Sequence, residues 1–239
     1  MADTVIREVA KDVWIFSRPF SIFGFIPVGG RSTAIKLAGG DVWVLASTPL
    51  NAETKTKLDE LGPVKYIVAP DIFHNLFLRE FTNAYPQAKL IGVKALLYKK
   101  ELADLKFDGA YGSDPEGTTY GFENEVNYYF PGFRNKDVAF YHEPSKSLIV
   151  ADLLFNLPCT EQYSKTNSSG RIPILSNLNP SGWLHKRFLW RAGRDKDAMR
   201  RDAKTVAEWD FTRVILCHGD IIETDGNKAW REAWKWFLD

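Results

Sequence analysis

Three apolar runs, far apart in the chain, each end in a polar side chain, and this constrains the fold more than any other feature. Lys65-Tyr66-Ile67-Val68 leads into Ala69-Pro70-Asp71-Ile72-Phe73-His74. Ser147-Leu148-Ile149-Val150-Ala151 ends at Asp152, and Val214-Ile215-Leu216-Cys217 ends at His218. Short apolar runs of this kind read as buried strands. Polar groups just beyond such strands are where open α/β architectures place ligand-binding groups.

Strand and helix signals alternate along the first half. Val13–Phe16, Thr33–Leu37, Val42–Ala46, Tyr66–Ala69 and Ala88–Ile91 read as strands, and Asn51–Leu61 and Leu76–Ala84 as helices. Gly39-Gly40-Asp41 is a turn, and Gly62-Pro63 stops the first helix. Residues 109–121, rich in Gly, Ser, Asp, Pro and Thr, read as a surface loop. Val126–Phe130, Asp137–His142 and Ser147–Val150 form a further strand group, with Glu143-Pro144-Ser145-Lys146 as a hairpin turn. Residues 156–182 are loop-like and long enough to point to a functional role. Ser181–Arg191, Asp195–Trp209 and Lys228–Leu238 carry helical patterns around a last strand at Arg213–Cys217. The expected architecture is an αββα sandwich forming one domain over residues 1–239, because the motif parts run from the first third to the C-terminal end.

Composition narrows the function classes. Hydrophobic residues at 45% suffice for a sizeable core, and a net charge of +1 gives no global electrostatic case for nucleic acid or an anionic membrane. Cys159 and Cys217 are too few for a secreted disulfide framework. The start, Met1-Ala2-Asp3-Thr4, has no apolar signal core, and no stretch is long enough to span a bilayer. A cytoplasmic protein with a small-molecule substrate is the expectation. There is no phosphate-binding glycine loop, no Gly-x-Gly-x-x-Gly and no Gly-x-Ser-x-Gly, and Ser47 has no base tied to it.

The order of these parts resembles the metallo-β-lactamase superfamily: a strand, His-x-His-x-Asp-His and a helix, then a Gly-His, a Gly-Asp and a final Gly-His. The resemblance covers nearly the whole chain. Its branch is a divergent one, since Gly62–Pro70 and Gly30–Thr33 look like members that lack the two-metal motif. Placed on that pattern, the first histidine falls at Ala69, the second at Asp71, the aspartate at Phe73 and the fourth position at His74. The middle Gly-His becomes Gly132-Phe133, the bridging aspartate is Asp152 and the last histidine His218.

The resemblance implies that Asp71, His74, Asp152 and His218 converge on one divalent ion, zinc, iron or manganese. Ala69 and Phe133 remove imidazoles of a first metal, and Phe73 removes the carboxylate that serves a second metal or acts as base, so a binuclear zinc site is not expected. Asp71, if it does not ligate, is the candidate general base. The Phe20–Pro27 segment would lie over the site, with Phe23, Phe25, Phe133 and Tyr163 as apolar walls. A mononuclear metal-dependent hydrolase of a small apolar lactone or ester follows. The alternatives are a non-catalytic binding descendant, or an enzyme with a redox-active metal. His142 reads as an exposed turn residue, and His185 as a surface or helix-packing one. The arginines between residues 187 and 201 read as a solvated face paired with Asp195, Asp197 and Asp202.

Overall fold

A computed structural model describes residues 4–122 and 126–239. Nine strands lie in its first half: β1 (Val5–Ala10), β2 (Val13–Arg18), β3 (Ser21–Ile22), β4 (Ile26–Pro27), β5 (Gly30–Lys36), β6 (Val42–Leu45), β7 (Val64–Val68), β8 (Lys89–Val93) and β9 (Gly109–Tyr111). Seven of them form one sheet in the order β1-β2-β5-β6-β7-β8-β9. It is antiparallel as far as β6 and parallel beyond. The small β3–β4 hairpin stands apart. β9 comes from the segment read as a surface loop. Its three residues find an edge position beside β8, where backbone pairing compensates for poor strand propensity.

The second sheet runs β10 (Val126–Tyr129), β11 (Val138–His142), β12 (Ser147–Val150) and β13 (Arg213–Leu216), the last pair parallel. Alternation along these strands divides two cores, as the two-residue period of a strand requires. Val138, Phe140, Ile149 and Ile215 face the large sheet and join Trp43, Val44, Tyr66 and Ile67 in the inter-sheet core. Ala139, Tyr141, Leu148, Val150, Val214 and Leu216 face the other way, into a core closed by helices. The result is helix, sheet, sheet, helix.

Helices α1 (Ala52–Leu61) and α2 (Leu78–Ala84) bury Leu58, Leu61, Leu78 and Phe81 on the large sheet. Asn51 caps α1 by accepting from Thr54 N–H at 2.9 Å. Gly62 ends it, where a Cβ would lie 2.3 Å from the Gly40 carbonyl oxygen. A four-residue helix, α3 (Thr160–Tyr163), lies inside the stretch read as loop. On the small sheet sit α4 (Trp183–Ala192), α5 (Lys196–Ala207), α6 (Gly226–Ala233) and α7 (Lys235–Leu238). Asp195 caps α5 through Ala198 N–H at 3.0 Å. The single terminal helix expected from the tryptophan spacing is broken at Trp234, whose ring turns inward with Trp230 onto Phe130. No helix of the described residues is long and apolar enough to cross a membrane.

His142 is a correction to the sequence reading. It is buried at the end of β11, and its Nδ1 lies 2.7 Å from Ser145 Oγ, because the turn folds back on the strand end instead of projecting into water. His185 is also buried, with Nε2 accepting the Phe155 N–H at 3.0 Å.

The inter-sheet core should dominate stability. Phe140→Ala, which empties a fully buried site against Trp43, should cost about 3–5 kcal/mol in urea unfolding. Phe73→Ala, at a half-exposed ring, should stay within about 0.5 kcal/mol of the parent.

Candidate metal centre

The loop after β7 builds the first element of the site. Asp71 is fully buried, and its Oδ1 accepts the backbone N–H groups of Phe73 at 2.6 Å and His74 at 2.8 Å. Its Oδ2 accepts from His74 Nδ1 at 2.8 Å. Both carboxylate oxygens are therefore spent on orienting the loop and the His74 ring, and Nε2 of that ring points outward to the site.

Asp152 comes from the end of β12. Its backbone N–H donates to Asp137 Oδ2 at 2.8 Å, and its side-chain Oδ2 accepts from Asn135 Nδ2 at 2.5 Å. His218 follows β13. The Gly29 carbonyl can only accept, so His218 Nδ1 donates to it, at 2.6 Å, and the Nε2 lone pair is left free. The ring is stacked between Phe155, 5.1 Å away between centroids, and Phe20, 6.3 Å away.

The two Nε2 atoms of His74 and His218 lie 3.2 Å apart. With both Nδ1 positions donating, the two Nε2 atoms face each other, an arrangement that either a shared proton or a metal ion between them satisfies. Burial opposes charge on His74, but Asp71, Asp152 and Asp137 outweigh it and raise its pKa to about 10. Burial likewise works against an ionised Asp152, yet His74, His218 and Asn135 hold its carboxyl below the usual range. Burial and the Asp71 and Asp152 carboxylates push Asp137 well up.

The donor set fits a divalent ion. Two metal–nitrogen bonds of about 2.1 Å spanning the 3.2 Å gap subtend about 100°, between octahedral and tetrahedral angles. Asp152 Oδ1 lies 3.3 Å from His218 Nε2, and one donor atom from each of the three residues falls within 4.8 Å of the others. Among the described residues this is the one group of three His, Cys, Asp or Glu side chains that converges so. Both histidines have the outer hydrogen bond that fixes ring and tautomer in metal sites.

The structure redistributes the other expected site residues. Asp71 stands behind His74 as its orienting carboxylate, not beside it as a ligand or base, because no oxygen is left to face the site. Phe133 is buried in the helix-side core, 6.1 Å from the Trp234 ring, away from the cavity. Tyr163 is buried in a small separate cluster, and its hydroxyl donates to the Phe20 carbonyl at 2.9 Å. Phe25 is 71% exposed beyond the cavity wall, while Phe23, on the same hairpin, lines it. Of the expected salt pairs, Arg200–Asp197 and Arg201–Asp202 form, while Asp195 serves as a helix cap.

The cavity above the three donors has a volume of about 550 Å³. Phe20, Ile22, Phe23, Phe77, Phe155 and Phe188 supply its apolar walls, and Ser47, Arg134 and Asn135 its polar groups beside the donors. Asn135 and Asp137 carried no signal in the sequence beyond a polar turn before β11. Arg31, Glu161 and Gln162 were equally silent, though they brace the His218 loop. The fully buried Arg31 donates through Nη1 to the carbonyls of Leu216 at 2.5 Å and Gly219 at 2.8 Å, and through Nη2 to Glu161 Oε1 at 3.1 Å. Gln162 donates to the Cys217 carbonyl at 2.8 Å and accepts from Gly219 N–H at 3.1 Å. Gly219, at φ +95°, makes the turn, and a Cβ there would lie 2.2 Å from the Asn156 carbonyl oxygen.

No family model and no curated protein matches the sequence. Solved structures do match the fold. A metallo-β-lactamase from Erythrobacter litoralis superposes with a TM-score of 0.64 at 12% identity, over 99% of this chain and 97% of that one. One from Hirschia baltica gives 0.61 at 11% identity, over 98% and 97%. The Flv1 flavodiiron core from Synechocystis gives 0.69 at 14% identity, over 98% of this chain and 61% of that one. The chain has the metallo-β-lactamase fold.

The brace makes acid stability depend on Glu161. Burial raises its pKa, but the guanidinium groups of Arg31 and Arg7 and the Ser17 hydroxyl outweigh that and hold it below 4.5. A carboxylate depressed in the folded state stabilises fully above its unfolded pKa, and that contribution is lost as pH falls through the folded one. Glu161→Gln should therefore cost about 2–4 kcal/mol at pH 7. In urea titrations the gap from the parent should narrow progressively below about pH 4.5. A gap unchanged at pH 3 would show that the ion pair is not its source.

Proposed function

We propose that the protein is a mononuclear metal-dependent hydrolase of a small, mostly apolar ester or lactone. The observation that carries this reading is the His74, Asp152 and His218 triad on the floor of an apolar cavity. Two imidazoles and one carboxylate would hold one divalent ion and leave positions open for water and substrate. A bound ion there supplies Lewis acidity to a carbonyl and lowers the pKa of its water. Ala69, Phe73 and Phe133 offer no donor for a second ion.

The chain's own groups divide the remaining work. Asp71 and the Gly29 carbonyl lock the two imidazoles with Nε2 toward the site. Asn135 ties one oxygen of Asp152 and leaves Oδ1 facing the cavity. Asp152 thereby presents Oδ1 as the one carboxylate donor of the set. Phe20, Phe155 and Phe188 exclude bulk water and favour an apolar substrate body.

Two imidazoles and one carboxylate also make up the donor set of redox iron sites. That is the one observation favouring oxidative chemistry, and metal identity separates the two readings. Iron retained in preference to zinc, with oxygen consumption and no esterase activity, would favour it.

Elemental analysis of protein expressed with supplemented metal should give one equivalent per chain. His218→Ala should lose that metal and any hydrolysis together, while His142→Ala should keep both. Two equivalents, or retained metal in His218→Ala, would show the site to be wrongly assigned. No metal under any supplementation would favour the non-catalytic binding descendant.

Asp71→Asn tests the orienting role separately. It should weaken metal affinity by about 10–100-fold without changing the limiting stoichiometry, the usual effect of removing an outer partner of a ligating histidine. Complete loss of binding at saturating metal would instead make Asp71 a ligand.

A further inference from the structure

Among the described residues Arg134 is the one arginine or lysine that lines the cavity. Its backbone is fixed on both sides. Its own N–H donates to the Ala192 carbonyl at 2.8 Å, and the carbonyl of the next residue, Asn135, accepts Ile72 N–H at 3.1 Å. The preceding side chain, Phe133, is anchored in the helix-side core. The guanidinium itself is exposed, with no carboxylate at ion-pair distance among the described residues. Among the described residues Arg7, Arg31, Arg79, Arg200, Arg201 and Arg213 are ion-paired; several other arginines are not, but Arg134 is the one of these that lines the cavity. An unpaired guanidinium on an otherwise apolar wall is a ready docking point for a carboxylate or another oxyanion.

Arg134 also has a defined place in the cavity. It adjoins Asn135, whose amide holds Asp152, and both residues line the cavity together with the three donors. Phe20, Ile22 and Phe23, at and beside the β3–β4 hairpin, line the same cavity. There Phe23 is 83% exposed and held at φ +54°, a conformation that costs a non-glycine residue free energy. Phe25 lies beside it, with ring centroids 6.5 Å apart. One guanidinium among mostly apolar walls matches an amphiphile with an anionic head.

We infer that the cavity takes a single-chain amphiphilic anion, its anionic group paired with Arg134 and its apolar body along Phe20, Ile22 and Phe23. This rests on the cavity being the substrate site, as proposed above. It adds that the substrate carries an anionic group besides the carbonyl to be attacked. Arg134 is a specificity-determining residue in this assignment and takes no part in the chemical step.

Calorimetric titration of the full chain with decanoate, decanesulfonate and 1-decanol tests the assignment. The sulfonate is a poor metal ligand, so it reports on Arg134 apart from the metal donors. Both anions should bind the parent protein about five- to tenfold more tightly than the alcohol, the scale of one ligand ion pair in a partly exposed site. Arg134→Gln should erase that preference and leave 1-decanol binding unchanged, and Arg134→Lys should restore part of it. The exposed side chain makes folded variants the expectation, which melting curves verify. Equal binding of alcohol and sulfonate by the parent, or a sulfonate preference surviving Arg134→Gln, would overturn the assignment. A preference for decanoate alone that survives the substitution would also overturn it, placing the carboxylate on the metal donors. An Arg134-dependent sulfonate preference in protein that holds no metal would support this inference while the hydrolase reading fails.

Discussion

Two imidazole nitrogens held 3.2 Å apart with their lone pairs facing are the constraint around which the rest of the structure is arranged. Neither ring is free to turn away. His74 is fixed by a buried carboxylate that also organises its loop, and His218 by a backbone carbonyl and two flanking aromatic rings. Such a pair repels unless positive charge sits between it. Asp152 at the edge and Asp71 behind supply the negative field that makes positive charge favourable there. These buried polar groups hold both Nε2 atoms toward the one point where His74, Asp152 and His218 converge, the place of the single ion proposed above.

The fold delivers these groups by strand parity and by one long-range brace. β7, β12 and β13 each end at the same side of the sandwich; Ala69, Ala151 and Cys217 just after them stay in the inter-sheet core, and the polar groups follow at Asp71, Asp152 and His218. The His218 loop would otherwise be a glycine turn with little to fix it. Arg31, sunk completely in the protein, pins carbonyls on either side of it and is itself neutralised by Glu161 on the short helix α3. The segment from residue 156 to 182, without regular structure apart from short helical turns, therefore helps to place His218, 55 residues beyond the end of α3 (218 against 163).

The sequence made most of the strands legible because apolar runs are local signals, and the meeting of His74, Asp152 and His218 through the resemblance of their order to a known superfamily; the order of strands in the sheets was not legible. It also exposed the thinning of the site, since Ala69, Phe73 and Phe133 are visible losses. The role of Asp71 was not legible. A carboxylate three residues before a histidine can ligate beside it or hydrogen-bond to it, and only the orientation of its two oxygens decides. Phe133 and Tyr163 misled for a related reason: aromatic side chains near a site in sequence carry no mark of which sheet face they take. Arg31 and Asn135 escaped notice because their importance comes from partners 14 to 188 residues away.

X-ray absorption spectroscopy on the metal-loaded protein tests the central claim most directly, because it reads the ion's neighbours without relying on turnover. The account predicts a first shell of nitrogen and oxygen at about 2.0–2.1 Å, outer-shell scattering from two imidazoles, and no metal–metal distance near 3.5–4 Å. A metal–metal vector in that range, or a shell without imidazole scattering, would contradict it.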